Sequence, residues 1–224
     1  MHELSFDRLD VDGALGEAAE RAGVVTRGTF LAGTLGGAAA LLGLAPAPVA
    51  AQSDSDVSIL NFALVLEYLQ AAFYTEAERM KMLRGRAAEA AEVVGAVERA
   101  HVKAFHDVLG DKAIKRPSFD FQGTTEDQNG FLKTAVAFED LSVEAYKGQA
   151  PRLQAKSALM AALSIHTVEA RHAAWMRFLF GVEPAARAFD QPRSRPQATR
   201  VLASTNFITS SPSTQRERTP SYTG

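Results

Sequence analysis

Two short motifs, Glu98-Arg99-Ala100-His101 and Glu169-Ala170-Arg171-His172, each set a carboxylate and an imidazole three residues apart. On a helix, side chains at that spacing lie about 60° apart in azimuth and ~4.5 Å along the axis, so each pair reaches one metal ion. The motifs belong to an internal repeat. Leu66-Glu67-Tyr68-Leu69 followed by Tyr74 answers Phe138-Glu139-Asp140-Leu141 followed by Tyr146 at an offset of 72 residues, and the two Glu-x-x-His motifs answer each other at 71. Each half therefore offers Glu, then Tyr seven residues on, then Glu-x-x-His.

Four carboxylates crowded inside an apolar bundle repel one another and cost several kcal/mol each unless protonated or paired. No buried lysine or arginine is evident in the pattern to pair them. Two divalent cations would balance four carboxylates and leave two neutral imidazoles as the remaining ligands. The candidate metal ligands are thus Glu67, Glu98, His101, Glu139, Glu169 and His172. Carboxylate-rich ligation suits iron or manganese better than copper or zinc, so the expected cofactors are two Fe or two Mn ions.

Tyr74 and Tyr146 fall on the same helix faces as Glu67 and Glu139, two turns on. They either hydrogen-bond the site, as candidate catalytic residues, or pack. His106 and His166 read as ordinary helix histidines or as groups supporting the ligands. Glu144 is expected in solvent, and Glu78, three turns from Glu67 on its face, is at best on an access path. Trp175, Met176 and Phe178 read as core or interface.

These residues must be carried by helices. Apolar residues recur at three- and four-residue spacing from 54 to 181. They predict four helices, at 56–83, 86–109, 126–147 and 152–180, with Gly110, Gly148 and Gly181 as stops and Thr125 with Gln128 as a capping box. The joins near Gly85 and Gly148 to Pro151 are short and make antiparallel hairpins, whereas 111–125 is long. Fifteen extended residues reach about 50 Å, more than the ~36 Å of a 24-residue helix, so this segment can cross the bundle. The expected fold is an all-α antiparallel four-helix bundle with one long crossover between helices 2 and 3.

The chain has 224 residues, 46% of them apolar, a net charge of -2 and no cysteine. No basic field draws it to nucleic acid, and no disulfide, thiolate zinc site or cysteine-ligated iron cluster can form. Residues 1–51 read as a leader. The apolar run 30–47 ends at Pro46-Ala47-Pro48, before a small-residue cleavage pattern Val49-Ala50-Ala51, as in a signal peptide. Thr26-Arg27-Gly28-Thr29-Phe30-Leu31 resembles a twin-arginine export signal, with Gly28 where the second arginine belongs. Uncleaved, the run would be an apolar anchor in contact with a membrane. Residues 52–181 make the bundle. Residues 182–224 are a Pro-, Ser- and Thr-rich tail with a docking patch at Val201, Leu202, Phe207 and Ile208, and 212–224 is expected to be disordered.

The chain resembles the ferritin-like superfamily, and within it the exported bacterial ferritin-like domain family, which includes plant desiccation-related proteins. The resemblance spans about residues 56–210 and rests on Ile59 to Leu69 with Glu67, on the two Glu-x-x-His motifs, on Phe138 to Tyr146, and on Ala188-Phe189-Asp190. It implies a ferritin-like bundle in which Glu98 and Glu169 bridge two metals, Glu67 and Glu139 are terminal carboxylates, and His101 and His172 each cap one metal. It implies dioxygen or hydrogen peroxide as the small-molecule substrate, in ferrous oxidation or oxidative-stress protection, for an exported protein. The desiccation-related relatives imply an alternative, a non-catalytic structural protein of the cell envelope. Mineral storage would need a homo-oligomer forming a hollow shell, which one chain does not reveal. A rubredoxin centre of the rubrerythrin kind is excluded by the missing cysteines.

Overall fold

In the computed structural model, residues 54–210 are described. Among them run α1 (Asp54–Met80), α2 (Gly85–Leu109), α3 (Gln128–Gln149), α4 (Lys156–Phe180) and α5 (Arg195–Thr205), with single 3-10 turns at Gly110–Lys112 and Ala150–Arg152. The leader at 1–51 and the expected disorder at 212–224 lie outside the described residues.

α1 pairs with α2 and α3 with α4, and the two hairpins meet through α1 against α3 and α2 against α4. Each pairing is antiparallel. Glu67 meets His101 and, a little further along α1, Glu78 meets Arg99. Tyr74 meets Glu139, whereas Glu67, earlier on α1, meets Tyr146, later on α3. This is the expected ferritin-like bundle.

The crossover between α2 and α3 lies along α1. Near its start, Asn61 binds the carbonyl of Lys112 and the N–H of Ile114, at 2.9 and 2.8 Å. Near its end, the Thr125 hydroxyl donates to Glu76 at 2.7 Å. From Asn61 to Glu76 the axis of α1 advances about 22 Å at a helical rise of ~1.5 Å per residue. Covered on its outer side as well, α1 is apolar nearly all round. It has the length and hydropathy of a membrane span, but 72% of its most apolar window is buried in the bundle, as for a core helix.

Several helix ends differ from expectation. α1 stops at Met80, where Lys81 turns left-handed at φ 56°. α3 is capped by Asp127, whose carboxylate accepts the N–H of Gly130 at 2.9 Å; the Gln128 side chain expected to close a capping box with Thr125 accepts the N–H of Arg84 at 3.0 Å instead. α4 begins at Lys156 because Ala150–Arg152 forms a 3-10 turn and buried Asp56 accepts the N–H groups of Gln154 and Ala155. Gly181 does end α4, left-handed at φ 83°. Gly148 ends nothing. It sits inside α3, and a Cβ there would lie 2.0 Å from the carbonyl oxygen of Arg193. That residue is fixed from both sides, its N–H on the Glu144 carbonyl at 2.8 Å and its guanidinium on the Glu144 carboxylate. Glu144, expected in solvent, is therefore an ion-pair partner of the tail.

The docking patch in the tail has a structural basis. α5 starts with a Ser194–Gln197 capping box, buries Ala198 and Leu202, and is followed by buried Phe207. Phe119 and Ile208 form an antiparallel bridge, so the tail is stitched to the crossover. The aromatic side chains of the crossover and tail, Phe121 and Phe207, pack edge-on against Phe73 and Phe138.

Because the obstacle at Gly148 is backbone, Gly148→Ala should cost about 1–3 kcal/mol and lower the melting temperature by several degrees. Hydrogen exchange should show protection lost first around Arg193 and α5. A variant with unchanged melting and exchange would contradict this packing.

Candidate metal centre

The four helices deliver the six chemistry-bearing residues to one level of the bundle. Glu67 comes from α1, Glu98 and His101 from α2, Glu139 from α3, and Glu169 and His172 from α4. All four glutamates are fully buried, with 0% exposure. One apolar cluster, around Leu69, Phe73, Val94, Phe131 and Met176, fills the bundle on one side of this level. Another, around Leu60, Leu64, Phe105 and Leu153, fills it on the other.

The donor atoms fall into two overlapping groups. Glu67, Glu98, His101 and Glu169 form one, and Glu98, Glu139, Glu169 and His172 the other, with one ligand atom from each residue lying within 4.8 Å of the rest of its group. Glu98 and Glu169 are shared. Glu98 turns Oε2 toward His101 Nδ1, at 3.4 Å, and Oε1 toward His172 Nδ1, at 2.8 Å. Neither oxygen has hydrogen-bond alignment, and Glu139 Oε2, Glu169 Oε1 and His172 Nδ1 are likewise buried without a hydrogen-bond partner. Orphaned buried polar atoms are rare in native proteins because each costs about 1–3 kcal/mol or more. Here five of them converge, on hard oxygen and imidazole donors, which makes the cluster compatible with metal binding.

Protonation carries the charge balance of the side chains on their own. Burial raises Glu67 to about 7 against the pull of His101, and burial with the nearby Glu98 carboxylate raises Glu169 well above the ordinary range. Burial would also raise Glu98, but contacts with His101 and His172 outweigh it and hold Glu98 at about 2. Burial disfavours charge on His172, yet Glu139 and Glu98 beside it raise it to about 10. Against the same burial, Glu67 and its neighbours raise His101 well above the usual imidazole range.

The tyrosines cross between the halves. Tyr74 on α1 donates to Glu139 Oε1 on α3 at 2.5 Å, and Tyr146 on α3 donates to Glu67 Oε1 on α1. Each leaves the other oxygen of its carboxylate facing the site: Glu67 Oε2 is 3.1 Å from His101 Nδ1 and Glu139 Oε2 is 3.7 Å from His172 Nδ1. Burial, then the facing carboxylates, push both phenols well above their usual range. Both readings open for these tyrosines hold: each hydrogen-bonds a glutamate of the cluster, and each packs among apolar side chains, Tyr74 edge-on against Phe73 and Phe131.

Two further residues at the centre escaped sequence reasoning. Gln70 and Ser142 are 1% exposed; the Ser142 hydroxyl donates to Gln70 Oε1 at 2.6 Å, and Gln70 Nε2 donates to Glu169 Oε2 at 3.3 Å. The signal was present, since the two stand at the same 72-residue offset, three residues after Glu67 and Glu139. They differ in type, and a match by type passes over them.

The other residues considered lie elsewhere. His106 Nε2 pairs with the Tyr68 hydroxyl at 2.5 Å, and neither His106 nor His166 joins either donor group. Glu78 forms an ion pair with Arg99 at 2.9 Å. Met176 is fully buried, Trp175 packs on the core, and Phe178 is 58% exposed.

The sequence model of the ferritin-like domain family matches residues 55–182, from the start of α1 to just beyond α4. No curated protein matches the chain.

With both imidazoles raised above neutrality, a cation must displace their protons to use Nδ1. Manganese affinity should therefore rise with pH from ~6 to ~9, and binding at neutral pH should release about three protons per chain or more, from both imidazoles, from Glu169 and in part from Glu67. Calorimetry in buffers of different ionisation enthalpy reads the proton count. An affinity flat across that range would contradict the proposed use of His101 and His172.

Proposed function

The chain belongs to the ferritin-like domain family, and from that premise we propose an exported protein that binds two iron or two manganese ions and acts on dioxygen or hydrogen peroxide. The observation that carries this reading is the pair of buried donor groups sharing Glu98 and Glu169, with carboxylate oxygens that no hydrogen bond satisfies. When bound, the metal pair would supply redox change and adjacent coordination positions for one small oxidant.

The chain's own residues would divide the work as follows. Glu98 and Glu169 would hold both ions, Glu67 with His101 one of them, and Glu139 with His172 the other. Tyr74 and Tyr146 stay protonated at neutral pH and act as donors that fix Glu139 and Glu67. They touch ligands, so their part is positioning. The phenylalanines packed around Phe73 keep bulk water out on one side, which strengthens every electrostatic contact at the centre. Export is supported by the apolar run 30–47 and the Val49-Ala50-Ala51 pattern. The near-neutral charge supports a small-molecule substrate over nucleic acid.

Elemental analysis of protein purified from its native compartment should give about two iron or manganese ions per chain. Protein reconstituted with either metal should consume oxygen or peroxide, and Glu98→Ala and Glu169→Ala should each lower turnover more than about tenfold. Two bound metals with turnover of neither oxidant would sink the enzyme reading and leave a metal-stabilised structural protein of the envelope. Metal near zero would sink the di-metal reading and favour a non-catalytic structural protein of the envelope.

A further inference from the structure

The repeat makes the two donor groups equivalent in type: each has its own Glu, its own His and the same two shared carboxylates. The crossed tyrosines preserve that equivalence, since each ties one oxygen of one terminal glutamate. The equivalence fails at Gln70 and Ser142.

Ser142 donates to Gln70 Oε1, which fixes the amide and leaves its N–H groups pointing the other way. One of them engages Glu169 Oε2. The remaining oxygen, Glu169 Oε1, has no hydrogen bond and lies 3.3 Å from His101 Nδ1, on the His101 side. Glu98 has no such constraint. It offers one unbonded oxygen to each side. Ser142 does not mirror Gln70 toward Glu98, because its hydroxyl is committed to Gln70 and both Glu98 oxygens lack a hydrogen bond. A carboxylate oxygen that accepts an N–H bond has one of its lone-pair sites occupied and its charge partly drawn off, which leaves less to give a cation on that side.

The geometry points to Gln70 as a positioning residue that ranks the two metal positions: the one formed with Glu67 and His101 fills before the one formed with Glu139 and His172. This rests on the metal-binding reading above. The His101 side draws on unbonded oxygens from both shared carboxylates, and the His172 side on only one. The amide thus gives a symmetric ligand set an order of loading, a first metal that is retained and a second that is held less tightly.

The test uses crystals of the full chain equilibrated with one equivalent of manganese(II), with occupancy at each position read from anomalous scattering. Occupancy at the Glu67–His101 position should exceed that at the Glu139–His172 position by about tenfold. In Gln70→Leu, which keeps the volume and removes the donor, the two should become equal. Ser142→Ala, which leaves the amide free to rotate, should lower the ratio and carries the test if Gln70→Leu does not fold by circular dichroism. Equal filling in the unaltered protein, the reverse order, or an unchanged ratio in a folded variant would overturn the ranking and leave metal binding intact. No manganese at either position would overturn both.

Discussion

The arrangement depends on one constraint: four carboxylates share the fully buried centre of a bundle, with apolar clusters on either side of it. Left ionised and unpaired, they would drive the helices apart, at several kcal/mol each. Every polar group around them answers that problem. The two histidines supply positive charge, the two phenols and the Gln70 amide supply hydrogen bonds, and raised affinities for protons remove what charge remains. Such partners can be set correctly only if the helices hold register, so the apolar clusters on either side of the centre serve it as much as they serve the fold. The stacked pair Phe73 and Phe131, with centroids 5.2 Å apart, belongs to the packing that holds α1 against α3.

Placing all six chemistry-bearing residues on helices, with none on a loop, has a mechanical effect. A ligand on a helix moves only when the helix moves, and here each helix is packed against two others. The crossover adds a further restraint. It runs along the open side of α1, takes hold at Asn61 and Thr125, and is itself fastened to the tail by the Phe119–Ile208 bridge. The segment after α4 thus reaches back to the outside of the helix that carries Glu67, Gln70 and Tyr74.

How much was legible in the sequence depended on whether a residue's partners were set by local spacing. Glu-x-x-His is a local pattern, and its two copies in register, with Glu67 and Glu139, were readable because helical periodicity alone puts those side chains on one face. The bundle and its single crossover followed from the same periodicity and from one long connection. Glu144 was not readable, because its partner Arg193 lies 49 residues on, in a tail with no periodic pattern. Gly148 was misread for a related reason. Glycine near a helix end suggests a stop, but its role here is close approach by a distant backbone, which leaves no mark in local sequence. The cap of α3 is Asp127 rather than Thr125, and the glutamine expected to complete a box with Thr125 accepts the N–H of Arg84, 44 residues back in the chain. Gln70 and Ser142 mark the limit most clearly: the repeat placed them, but their joint role appears only when the halves face each other.

The crossed contacts of the two tyrosines have the form of an isologous interface, in which residue i meets j while j meets i. One chain therefore contains, between its two hairpins, the pattern that two copies of a single hairpin would make about a twofold axis. In such a pair of copies, the residue on the axis meets itself, and both partners must be the same amino acid. Joining the hairpins in one polypeptide removes that requirement. Two copies of one hairpin cannot set a glutamine opposite a serine at the axis; two hairpins joined in one chain, and so free to differ in sequence, can, and the two sides of this centre differ accordingly.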